Sequence, residues 1–290
     1  MPGRNLILIL FFFAKLHSYE GCSSNKNNVI IPCKEYDLEN PKILKLGDAL
    51  SEISGICFYP KDSSVFAISD ENGNLYKIHL DKNFLITEWK FDKPGMDFEE
   101  VFLHDNTFYV LQSNGNVVTI NFSEKGDTIF NRRSVFPGSD RNKNEFESMY
   151  YDDLYNGLIV LCKDCENDKK NDVSAWDFDP SNDRYSPSQF SLNVKTIAEK
   201  LGTEKLKLKP SAAAINPLTK DVWILASANQ LLIVTDRKGN TKEVYTLNPV
   251  IFKQPEGITF TPWGDLLISN EAVDKYGTAD LLIFNPKRKS

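Results

Sequence analysis

QPEGITF at 254–260 is the stretch on which the fold reading turns. A glutamate follows a proline, a glycine follows the glutamate, and an alternating apolar run leads to the turn TPWGD and a second run, LLISNEA. The same plan occurs four times earlier, as SEISGI at 51–56, MDFEEV at 96–101, NEFESM at 144–149 and LKPSAAAI at 208–215. Aligned on one position, the five segments read Ser54, Glu99, Glu147, Ser211 and Glu256. One short meander cannot bury its own apolar face, so recurrence of this kind predicts an array of stacked all-β units. The intervals from 54 to 99, 99 to 147, 147 to 211 and 211 to 256 are 45, 48, 64 and 45 residues. A period of about 40 to 50 residues is that of a four-stranded propeller blade.

The 64-residue interval carries the polar stretch DCENDKKNDVS and then VKTIAEKLGTEKLK, in which Val194, Ile197, Ala198 and Leu201 recur at helical spacing. It reads as an insertion, with a degenerate sixth unit as the alternative. Only 34 residues follow Glu256, too few for a complete blade, whereas EYDLENPKILKL at 35–46 precedes the first unit. The predicted fold is therefore all-β: a single five-bladed β-propeller over 35–290, whose last blade is closed jointly by N- and C-terminal strands.

The N-terminal segment is of another kind. Arg4 precedes LILILFFFA at 6–14, an apolar run too short to span a bilayer as a mature anchor. Gly21-Cys22-Ser23-Ser24 follows, then the polar NKNN. We read 1–21 as a signal peptide of the bacterial lipoprotein type, Cys22 as the lipidated first residue and 22–34 as a tether; ordinary secretion and an uncleaved anchor are the other readings. Tyr19 and Glu20 depart from the usual residues of that motif. The expected location is the bacterial cell envelope, lipid-anchored on the extracytoplasmic side and monomeric. In such a compartment Cys162-x-x-Cys165 is a possible disulfide, whereas one CxxC supplies only half of a zinc site. The net charge of −6 and scattered basic residues argue against nucleic acid as a partner.

The innermost strand of each blade lines a central channel, and side chains alternate with a period of two. If Ser54, Glu99, Glu147, Ser211 and Glu256 face inward, then Glu52, Asp97, Glu145, Lys209 and Gln254 form a second ring. Six carboxylates around one channel repel one another and raise their own pKa values. Oxygen donors from separate strands suit a hard divalent ion tolerant of irregular geometry, so Ca2+ is the expected cofactor. The competing reading is that these glutamates bond backbone amides, or that Lys209 neutralises part of the ring. Asp70, Asn114, Lys163, Asn229 and Asn270-Glu271, at the ends of the next strands, could shape the channel mouth. The chain has no GxSxG elbow, phosphate loop or HExxH. His17, His79 and His104 match no inner-ring position.

Taken together, LSEISGICF, DFEEV, FESMYYD, LIVLCKDC, KPSAAAINP and PEGITFTPWGDLLISNEA resemble the SdiA-regulated family of bacterial β-propeller proteins, over about residues 36 to 287. The resemblance implies an exported or membrane-associated propeller with a metal in its channel. It implies no catalytic residue. Two functional expectations follow: a ligand-binding or scaffold module for a small molecule or envelope protein, with calcium in the channel, or a calcium-dependent lactonase, esterase or phosphoesterase in which the ion polarises an oxygen.

Overall fold

A computed structural model describes residues 32–80, 85–123, 126, 129–139, 143–166, 168, 171–274 and 277–287. The expected signal peptide, Cys22 and most of the expected tether lie outside these residues. Five four-stranded antiparallel sheets surround an axis. Blade 1 is built from Ile53–Tyr59, Ser64–Ser69, Asn74–His79 and Ile86–Lys90, and blade 2 from Phe98–His104, Thr107–Gln112, Val117–Phe122 and Ile129–Ser134. Blade 3 uses Asn144–Asp152, Gly157–Cys165, Ala175–Asp179 and Arg184–Pro187, and blade 4 uses Ala212–Ile215, Val222–Ala226, Leu231–Thr235 and Thr241–Thr246. In blade 5, Pro255–Phe260, Leu266–Asn270 and Asp280–Phe284 are completed by Lys42–Lys45, which pairs antiparallel with the third strand, Leu44 opposite Leu281. Head and tail thus share one blade, as the sequence predicts.

The first strand of each blade is innermost, and each packs on the first strands of its two neighbours, blade 5 returning to blade 1. In blade 4 the middle strands are almost wholly apolar because both faces are covered by adjacent blades: Val222–Ala226 and Leu231–Thr235 are buried at every position. Tyr36 locks the closure. Its ring packs edge-on against buried Trp223, with centroids 5.3 Å apart, a contact worth about 0.5–1.5 kcal/mol beyond its buried area. Its hydroxyl donates to Gly264 O at 2.7 Å and accepts from Asn216 Nδ2 at 3.1 Å, joining the N-terminal segment to blades 4 and 5. Between blades 3 and 4, Arg237 donates through Nε to the fully buried Asp152 carboxylate at 2.8 Å.

The long interval between Glu147 and Ser211 holds no further inner strand among the described residues. It holds the outer strands of blade 3, a two-residue pairing of Asp172–Val173 with Leu192–Asn193, and one helix, α1, at Val194–Leu201. Asn193 caps α1 by accepting from Thr196 N at 3.0 Å, and Gly202, with φ +66°, ends it in the left-handed conformation that glycine adopts without strain. Val194, Ile197 and Ala198 are its buried face, at the predicted spacing.

Candidate functional site

Four of the five repeat positions coincide with a break in strand register. In blade 2 Phe98 pairs with Gln112 and Glu100 with Leu111, leaving Glu99 as the extra residue of a β-bulge. Glu147 is extra between Phe146 and Ser148, Glu256 between Pro255 and Gly257, and Ser54 lies in the shift between Ile53 and Ile56. A bulge leaves its extra residue without a cross-strand partner and re-aims its side chain. The charges of Lys163 and Glu256 both act on Glu99, so residues of blades 2, 3 and 5 lie within electrostatic reach of one another. Ser211 precedes the first strand of blade 4, where its hydroxyl donates to Pro255 O at 3.2 Å and accepts from Ser227 N at 3.3 Å. It stitches blade 4 to blade 5.

The bulge also brings in a residue that strict alternation would turn away. Glu100 is buried, its Oε1 accepts from Val101 N at 3.0 Å, and its Oε2 has no hydrogen-bond partner among the described residues. The backbone amides of Ile56 in blade 1 and Ala213 in blade 4 also act on this carboxyl, so Glu100 reaches across the axis from blade 2. Burial first, and the neighbouring Glu99 charge second among the raising causes, push its pKa well above the glutamate range. The doubled Glu99-Glu100 at a repeat position was the available signal, and the assumption of unbroken period two concealed it.

The outer ring is also charged. Asp97 is exposed with a left-handed φ of +56°, and its carboxylate accepts from the Ser113 hydroxyl; from this rim position its charge still reaches Glu99. Gln254 donates to Glu271, whose carboxyl also bonds Glu52. Burial and then Glu52 push the Glu271 pKa up. Burial pushes Glu99 from the ordinary 4.5 to about 9, helped by Asp97 and opposed by Lys163. Glu256 rises to about 7 and Asp70 from 3.8 to about 6, again chiefly through burial, and Asp70 Oδ1 has no hydrogen-bond partner among the described residues.

Lys163 is the counter-ion inside the ring. Its Nζ lies 2.7 Å from Glu145 and also bonds Glu147. Lys209 is 3.7 Å from Asp164. Of the second-strand set, Asp70, Lys163 and Glu271 act on the channel, while the amides hold turns and strand ends: Asn114 accepts from Asn116 N, Asn229 bridges Lys207 and Lys209, and buried Asn270 donates to Ile251 O and Asp280. Cys162 and Cys165 are disulfide-bonded, so although Asp168 joins them in a cluster with atoms within 4.8 Å, the sulfurs are already committed to each other. No other trio of acidic, Cys or His side chains among the described residues is so tightly grouped. The ring glutamates therefore surround the channel at wider spacing.

A cleft of about 370 Å3 opens there, lined by Glu147, Lys163, Lys209, Ser211, Lys253 and Glu256 among others. Its lining carries three lysines against the two carboxylates Glu147 and Glu256, while Glu99, Glu100 and Asp70, which act on one another nearby, add carboxyl groups of which two buried oxygens lack partners among the described residues; oxygen donors of this kind are what a hard divalent cation would satisfy.

A profile of the SdiA-regulated family matches residues 29–274. A search of the curated proteins found no match. Among solved structures the chain is similar to a Myxococcus xanthus glutaminyl cyclase (TM-score 0.53, 11% identity, covering 86% of this chain and 98% of that one). It is also similar to a calcium-binding regucalcin of Agrobacterium tumefaciens (TM-score 0.51, 13% identity, covering 88% and 95%). At these identities the likeness is one of fold.

The raised carboxyls fix a pH dependence for cation-free protein. Below about pH 4.5 Glu99 is protonated both folded and unfolded; between 4.5 and about 9 the folded state keeps a proton that the unfolded state releases, so stability falls as pH rises through that window. Glu256 adds to the fall up to about pH 7. In chelator, the melting temperature should drop from pH 5 to pH 9, and Glu99→Gln should flatten the drop and raise the melting temperature at pH 8. A flat or rising wild-type profile would contradict the assignment.

Proposed function

The chain belongs to the SdiA-regulated family, and we propose that it is an extracytoplasmic binding module that holds a divalent cation of the calcium class in its channel mouth. The observation that carries this reading is the convergence of bulge residues Glu99, Glu147 and Glu256 on one channel, where burial makes their charge costly and Lys163 offsets only part of it. Bulges at equivalent positions in separate blades aim carboxylates inward, and inward carboxylates in a partly dry site favour a cation or a proton. Glu99, Glu147 and Glu256 would supply the donors, with Glu100 beneath them; Ser211, tied into the blade 4 to blade 5 contact, is the weaker candidate, and Ser54 is buried beside the ring. The ion would neutralise the ring and leave a positive centre for a polar ligand.

The hydrolase alternative has less support. His104 ends the strand Phe98–His104 that carries Glu99, five residues and about 16 Å away at strand rise, and stacks on Tyr151. Placement in the envelope rests on the N-terminal segment. No helix among the described residues is long and apolar enough to cross a membrane; on the Gly21-Cys22-Ser23-Ser24 stretch after the apolar run at 6–14, we assign attachment to a lipid on Cys22. Intact-mass measurement of detergent-extracted protein should give a chain that starts at Cys22 and carries acyl mass; a chain starting elsewhere, or an unmodified one, removes the anchor.

Calorimetry on decalcified protein should show one calcium site. Glu256→Gln should weaken it by tenfold or more, the equivalent of about 1.4 kcal/mol, whereas Glu204→Gln on the exposed surface should not. A hundredfold excess of calcium over Kd should add about 2.7 kcal/mol of stability. Neither heat nor a melting shift in the wild type would end the cation reading.

A further inference from the structure

The cleft at the channel mouth holds more ammonium groups than carboxylates. Carboxylates from blades 5, 1 and 2 act on one another: Glu271 with Glu52, Asp70 and Glu256, and Glu99 with Asp97 and Asp70. The ammonium groups of Lys163, Lys209 and Lys253 come from blade 3 and from the segments that enter blades 4 and 5, and all three line the 370 Å3 cleft with Ser211, Gln254 and the carboxylates Glu147 and Glu256.

Counting partners separates the three. Lys163 is engaged by two carboxylates, Glu145 and Glu147. Lys209 stands 3.7 Å from Asp164, a carboxylate that Lys207 already holds at 2.7 Å. Lys253 stands 3.8 Å from Asp280, which Lys45 holds at 2.7 Å and Asn270 at 2.8 Å. A charge-assisted hydrogen bond to a carboxylate spans about 2.7–2.9 Å, so neither Lys209 nor Lys253 makes one there. Their side chains are 32% and 40% exposed, which keeps the cost of desolvating them small. Two ammonium groups with three donors each face a recess in the size range of small-molecule sites, about 300–1,000 Å3.

We propose that Lys209 and Lys253 form a binding site for a compact oxyanion, the phosphate or carboxylate head of a small molecule, seated in this cleft beside the acidic arc. With a cation held by Glu99, Glu147 and Glu256, the same head group would bridge the lysines and the ion, coupling the two binding events. The bridge rests on the cation reading; the lysine contacts do not. The carboxylates also define specificity. Glu147 and Glu256 share the cleft with the lysines and repel excess negative charge, so the site admits a head group of limited size and charge in place of a polyanion chain.

Methylphosphonate and acetate are the probes, titrated by calorimetry with chelator and with calcium. Wild type should bind at least one, and their relative affinity identifies the head group. Lys209→Met and Lys253→Met should each weaken binding about fivefold or more in chelator, and the double variant should abolish it. Lys253→Arg should restore most of it and Lys42→Met should leave it unchanged, with circular dichroism confirming folded protein throughout. Calcium should tighten the wild-type anion affinity. Lysine-dependent binding in chelator without any calcium heat supports the anion site while ending the cation reading and the bridge. A calcium site with anion binding indifferent to both lysines, or with no anion binding under either condition, overturns the proposal and leaves the cation reading intact.

Discussion

Crowding at the axis is the constraint from which the rest follows. A Cβ built on Gly55 would lie 2.3 Å from Glu100 Oε1 and 2.5 Å from Glu100 Cα, and one on Gly257 would lie 2.6 Å from Ser54 O. Real Cβ atoms do not approach so closely, so blades 1, 2 and 5 meet only where their inner strands carry no side chain. Glu100 is buried in this crowded place, directly beside Gly55. The bulges belong to the same geometry: an extra residue increases local twist and bends the strand, and here it does so where the inner strands converge.

The consequence is electrostatic. The bulges carry Glu99, Glu147 and Glu256, and Glu99 acts on the buried carboxyl of its neighbour Glu100. Lys163 answers two carboxylates directly and lowers the burden on Glu99 and Glu256. What remains is met by protons in the free chain and by a cation under the proposed function. The disulfide between Cys162 and Cys165 brackets Lys163 and Asp164, so the residues that set the ring's counter-charge sit within a covalently closed turn.

Much of the architecture was legible in the sequence because blade repetition is a matter of spacing. The five marked positions predicted five inner strands, the short remainder after Glu256 predicted closure by 35–46, and Val194, Ile197, Ala198 and Leu201 predicted the inserted helix. The finer site was less legible. Period-two reasoning fails across a bulge, which is why Glu100 was hidden and why Asp97 stands exposed at the rim with a left-handed backbone. The role of Lys163 was equally invisible to spacing, since partner choice depends on which carboxylates a second-strand side chain meets across the register of Phe146 with Cys162.

Proton release on cation binding tests the central claim most directly. Glu99, raised to about 9, holds a proton at pH 7, and Glu256, near 7, holds one part of the time. A cation that uses these oxygens must displace those protons. Calcium titrated at pH 7 into buffers of different ionisation enthalpy should give binding enthalpies that vary linearly with that enthalpy, with a slope of about one proton or more released per ion. Binding enthalpies that are the same in every buffer would contradict a site built on these raised carboxyls.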